Sequence, residues 1–346
     1  MEARFGLADR TAPIGAGTPE LSRVEVARQL STGRESDREV VRRSVRSAAT
    51  AARTESEFIG HARANGLILR PRWGKGASTE VTGYAAARPS TDTATDSLVF
   101  FSGLALGRDL SLPAMRAGWD PDPGAAAAAW KAATQRGATG PRRTPVHDPR
   151  AVTAAAQAMT AAQQRMAATP GGDRAAWSAF ARDGAGVFAA MAQQLPDRRV
   201  RTPLTQAAHA LASAAWREPH RHIERPPDGG ALWRVAQAML TVGGAQSEVF
   251  GTLVLVQQMM RLAQTISDTH EAAGRLGQAR WAAEAADRAG VAAHRMQTSA
   301  APARERGAEP QRTAAEQGAT PEKRANRSRQ QPSDTGAVRE DREWGR

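Results

Sequence analysis

The sequence contains no cysteine. Disulfides, thiolate zinc sites and cysteine nucleophiles are thereby excluded, and a reducing compartment fits. No apolar run approaches the roughly 18 residues that suggest a membrane span. The N-terminus, MEARFGLADR, is charged and carries no apolar leader core. The expected location is therefore cytoplasmic. Tyrosine occurs once, at Tyr84, so any tyrosine nucleophile would have to be that residue. There is no G-x-S-x-G elbow, no Walker-type phosphate loop and no dinucleotide fingerprint, and no cofactor is expected. Gly74-Lys75-Gly76 is too short to cradle a phosphate alone and reads as a hairpin turn. No internal repeat is evident.

What is abundant is arginine. Lysine and arginine together number 47 against 35 acidic residues, a net charge of +12. The excess favours a polyanionic partner. It is discounted because a GC-rich coding bias raises Arg, Ala and Gly together.

At 346 residues the chain can bury a real core. Residues 1–19 are loop-like and flexible, broken by Pro13, Gly15, Gly17 and Pro19. From Glu20 the pattern is helical, with Gly33 separating two helices and Val40, Val41, Val45 and Ala48 on the second. Thr54 and Glu57 have the spacing of a capping box, and Asn65-Gly66 supplies a helix stop. The period then shortens. LILRPRW (67–73), VTGYAAAR (81–88) and SLVFFS (97–102) read as strands, and Ser111 with Pro113 opens a helix. Residues 20–119 thus hold helices and a small α+β unit of helix, three short strands and helix. Residues 120–150 read as a Pro/Ala-rich linker interrupted by one turn around Trp130. From 151 to 297 helical periodicity predicts an antiparallel bundle, clearest at Val249, Leu253, Val256, Met260, Ala263 and Ile266. The tail, 298–346, lacks large apolar residues and reads as disordered. The fold class is mostly α.

Candidate chemistry is thin. His220-Arg221-His222, with Glu218 and Glu224 nearby, would present two imidazoles on one face of a strand. Pro219, Pro226 and Pro227 make the segment a polar loop, and with no third clustered ligand no metal is expected. His270 continues a helical stripe and reads as a packed or surface histidine. Tyr84 would need a histidine cluster to attack DNA, and only His61 is near it in sequence, so it reads as a strand residue packing its ring. The remaining signal is cationic. Arg70, Arg72 and Lys75 surround a strand end that carries Trp73, with Arg88 and Arg108 on neighbouring strand ends or loops. Arg42, Arg43 and Arg46 share a helix segment. Guanidinium groups beside an exposed aromatic suit phosphate contact with base stacking. The competing reading is a solvated charge face.

SEFIGHARANGLILRPRW, VTGYAAARP and FFSGLALGRDLSLPAMRAGW, in that order, resemble the region that follows the nuclease domain in actinobacterial plasmid relaxases of the MobP class. DRAAWSAFARDGAGVFAAMAQQL and QTISDTHEA are similar to that family's downstream helical segments. The resemblance covers most of residues 20–290. It implies a mobilisation protein, and by motif position it carries over Arg70, Arg72, Gly83, Tyr84, Arg88, Gly103, Arg108, Asp109, Leu112, Pro113 and Trp119. The family's upstream nuclease domain, with its nicking tyrosine and histidine cluster, has no counterpart in this sequence. The expectation is a non-catalytic protein binding DNA at a plasmid transfer origin, or assembling the relaxosome with a relaxase nuclease. One alternative is half of a split relaxase, which the DNA upstream of the first codon would reveal. Another is a helical protein-interaction scaffold that ignores DNA.

Overall fold

The computed structural model describes residues 33–75, 80–89, 98–135, 149–215, 232–241 and 246–307, with isolated helical positions at Arg23, Glu25, Ala27 and Ser31. The His220–His222 segment and residues 308–346 lie outside them. Among the described residues the protein is mostly helical with one small antiparallel sheet.

Gly33, at φ 63°, precedes α1 (Asp37–Ala51), whose N-cap Ser36 accepts from the Glu39 amide. Helix α2 (Glu55–Ala64) starts at Thr54, which accepts from the Glu57 amide at 3.2 Å. The expected reciprocal bond is shifted by one residue. The Glu57 carboxylate takes the amide of Arg53 instead of Thr54. Gly66, at φ 80°, ends the turn and delivers the chain into the sheet.

The sheet order is β1 (Ile68–Trp73), β2 (Val81–Ala87), β3 (Phe101–Ser102). Pro71 is tolerated because β1 is an edge strand, where a missing amide donor breaks no ladder bond. The register pairs Arg70 with Ala85 and Arg72 with Gly83, then shifts so that Trp73 faces Val81. Thr82 is the extra residue of this bulge, and its hydroxyl donates to the Arg72 carbonyl at 3.2 Å. The predicted strand at 97–102 is paired only at its last two residues.

After β3 come α3 (Gly103–Leu106), a 3₁₀ turn (Arg108–Leu110) and α4 (Leu112–Arg116). Next is α5 (Pro123–Ala133), begun by N-cap Asp122 with proline in its first turn. This corrects the linker expected there. Trp130 is fully buried against the sheet, and its indole donates to Glu55 Oε1 at 2.6 Å. The flanking prolines concealed this helix, because Pro123 sits in its first turn, where proline is tolerated.

The bundle follows: α6 (Pro149–Ala168), α7 (Arg174–Gln194), α8 (Arg198–Ala214), α9 (Leu232–Thr241), α10 (Gln246–Ala272) and α11 (Leu276–Gly307). Helix α11 runs past residue 297, where the tail was expected to begin. Helix α7 is central and buried almost all round, which its small residues permit. A Cβ at Gly186 would overlap the Thr50 side chain of α1, and one at Gly184 would lie 2.8 Å from Leu211.

Two apolar cores result. One is bundle; the other joins the sheet to Phe58, Ile59, Leu106, Leu112 and Trp130. Helix α1 lies in both. Val41, Val45 and Ala48 face the sheet core, and Ala51 enters the bundle core. Residues up to Pro302 form one compact unit; of the remainder, the described residues are the end of α11.

Candidate nucleic-acid interface

The sequence offers two arginine clusters, and the structure treats them differently. Arg42 and Arg46 are 1% and 2% exposed, and Arg43 is also buried. Arg42 donates from Nε to the Leu106 carbonyl at 2.7 Å and pairs with Glu39. Arg43 pairs with Glu35 and reaches the Thr205 hydroxyl at 3.3 Å. Arg46 clasps Asp109 through Nε and Nη2, its closest bond being 2.9 Å. These three are corrected from candidate DNA contacts to structural cations, because buried guanidiniums with carboxylate partners cannot reach a phosphate. The reason is placement. Helix α1 is packed between the sheet unit, where Arg42 and Arg46 meet Leu106 and Asp109, and the bundle, where Arg43 meets Thr205.

Burial raises the Glu39 carboxyl and lowers the Arg42 guanidinium to about 10, each against the attraction of the other. His209 Nε2 lies 3.2 Å from Glu39, and burial, then Arg46, Arg42 and Arg43, hold its imidazole neutral at physiological pH. The network spans helix, sheet unit and bundle.

The second cluster is open. Arg70 and Arg72 project from the same face of β1, opposite the small residues Ala85 and Gly83, and both are exposed. Arg70 lies over the Phe100 ring at 3.9 Å, a cation–π contact. Neither these two arginines nor Lys75 forms an ion pair with a described residue. Arg72, Trp73 and Lys75 line one open groove of about 450 Å³ with Thr82, Gly83, Ser102, Leu104 and Pro113. None of the described lining residues is acidic. Glu80 lies just across the hairpin, its carbonyl accepting from the Gly74 amide at 2.9 Å.

The bulge and the short β3 make this groove. Because β3 pairs only with Ala85 and Ala86, the Val81–Tyr84 stretch of β2 has no strand on that side among the described residues. Trp73, 46% exposed, sits where β1 runs off the core. Arg88 stands beyond the other end of β2, roughly 17 Å away along the strands by strand rise. Arg108 is exposed on the 3₁₀ turn. Neither lines the groove.

Tyr84 is buried, its hydroxyl donating to the Leu110 carbonyl at 2.8 Å and its ring meeting Phe58 edge-on at 5.5 Å. Burial pushes its pKa up, so it is a packing residue and a poor nucleophile. Gly103 is small for its sake: a Cβ there would lie 2.7 Å from the Tyr84 ring and strike the Leu110 carbonyl. His270 is buried and accepts at Nδ1 from Arg275 Nε at 2.8 Å; burial, then Arg275, lowers it to about 4. Among the described residues no group of three or more His, Asp or Glu could hold a metal ion, and no helix is long and apolar enough to cross a membrane.

Sequence reading missed Leu104, 61% exposed on the groove wall, and gave Pro113 only as a helix start and a motif position. The fold brings both to Trp73. No family model, curated protein or solved structure matches this chain.

Proposed function

We propose that this chain is a non-catalytic, relaxase-like mobilisation protein that binds DNA and assembles a relaxosome in the cytoplasm during conjugative transfer. The observation that carries the DNA contact is the groove at the end of β1. There Arg72, Trp73 and Lys75 meet with no acidic residue in the described lining, and Arg70 extends the positive face along the strand. Unneutralised cations on an exposed surface gain by displacing counterions from a phosphate chain. Arg108, exposed, and Arg88, half-buried, extend the contact at the periphery, and their removal is expected to matter less. The assignment to mobilisation rests on the ordered motifs from residue 20 to 290 that resemble plasmid relaxases. The partner implied is a relaxase nuclease.

The test is fluorescence anisotropy with oligonucleotides at several salt concentrations. Wild type should bind with a steep negative dependence on salt, and Arg70→Ala with Arg72→Ala should weaken binding and flatten that slope. Unchanged affinity in the double variant contradicts the assignment. A chain that ignores oligonucleotides but captures a relaxase nuclease would be a scaffold instead.

A further inference from the structure

We infer that the ligand of the β1–β2 groove is single-stranded nucleic acid, held with one unstacked base against Trp73 and the adjoining phosphates on Arg72 and Lys75. This rests on the reading that the groove binds nucleic acid at all, and it adds the strand state and the mode of contact.

Three observations carry it. First, a large indole stays nearly half exposed between two cations that have no described carboxylate partner. Inside a duplex the faces of the bases are covered by their neighbours, and a protein meets only their edges. An indole face can therefore be used only by a base that has left the stack. Second, the groove is small. At about 450 Å³ it lies toward the lower end of the range of small-ligand sites, roughly 300–1,000 Å³, which suits a single nucleotide better than the ridge of a double helix. Third, its floor and walls differ in kind. Gly83 contributes no side chain to the floor, whereas Trp73 and the exposed Leu104 provide apolar walls. A flat ring can descend between such walls with its phosphates still held outside, at the level of Arg72 and Lys75. An acidic peptide would satisfy the charges but has no planar group for the indole.

The experiment compares three end-labelled ligands on the full chain: a short oligothymidylate, a duplex of equal length, and a deoxyribose-phosphate oligomer without bases. The oligothymidylate should bind about tenfold more tightly than the other two at the same salt. Trp73→Ala should lose about tenfold for oligothymidylate and almost nothing for duplex, while Trp73→Phe keeps most of the affinity. Unchanged melting of both variants shows that the fold is retained. Equal affinity for single strand and duplex, or a Trp73→Ala variant as tight as wild type on oligothymidylate, overturns the inference while leaving DNA binding intact. Displacement by poly-glutamate as effective as by unlabelled oligothymidylate assigns the groove to acidic peptides and overturns it too. No binding to any oligonucleotide removes the underlying reading.

Discussion

Arg42, Arg43 and Arg46 on α1 and Arg70 and Arg72 on β1 are the same residue type in comparable density, yet only the second pair is available to a ligand. The difference is coverage. A helix lying between two cores has its polar face desolvated, so each guanidinium there must find a carboxylate or carbonyl, and each does. An edge strand with Gly83 and Ala85 opposite leaves its arginines exposed, with only the Phe100 ring against Arg70 among the described residues. Charge in a sequence therefore says less about ligand contact than does the number of layers packed over it.

The sharpest way to break this comparison is to truncate the buried cluster. Arg46→Ala strands Asp109 and should cost about 3–5 kcal/mol by thermal or chemical unfolding. The apolar pair Arg46→Met with Asp109→Leu should recover much of that loss. The same substitution in the open cluster, Arg72→Ala, should change stability by less than about 0.5 kcal/mol.

Acid provides the next largest effect. His270 titrates near its ordinary value of 6.5 when unfolded and near 4 when folded. The unfolded chain takes up the proton first, so this contribution is complete above 6.5 and declines as pH falls toward 4. Its size is on the order of 3 kcal/mol. His209 acts with the same sign. Glu39, raised by burial, acts with the opposite sign: above its ordinary 4.5 it favours the unfolded chain, and acid relieves this. Denaturant midpoints taken between pH 7.5 and 5 should fall less in His270→Gln than in wild type.

Gly186→Ala is expected to cost about 1–3 kcal/mol, since α1 and α7 must separate where Thr50 crosses it. Oligonucleotide affinity of the folded fraction should be unaffected. Conversely, Arg72→Ala with Lys75→Ala should leave the melting temperature in place and lower the salt slope of binding by about one for each phosphate no longer neutralised.

Much of the architecture is legible in the sequence. The cap at Thr54, the stop at Gly66, and the stripe from Val249 to Ile266 mark helices by local chemistry alone. The first two strands are legible for the same reason. Less legible is whatever depends on distant partners. Asp122 and Pro123 begin a helix that proline content concealed, and Trp130 becomes core only because Glu55 waits for its indole. Of the candidate site, Arg72, Trp73 and Lys75 are grouped by sequence proximity and stay grouped. Leu104 and Pro113 join them through the fold. Arg42, Arg43 and Arg46 could not be distinguished from a solvated face, because Asp109 and Thr205, which help to bury and satisfy them, lie far along the chain.

Arginine-selective labelling with phenylglyoxal, read peptide by peptide with and without a saturating oligonucleotide, tests the contrast most directly. Arg70 and Arg72 should label readily in the free protein and be protected by the oligonucleotide, whereas Arg42, Arg43 and Arg46 should resist labelling in both states until the protein unfolds. Labelling of Arg70 and Arg72 that the oligonucleotide leaves unchanged, or of Arg42 and Arg46 at the same rate, would contradict the account.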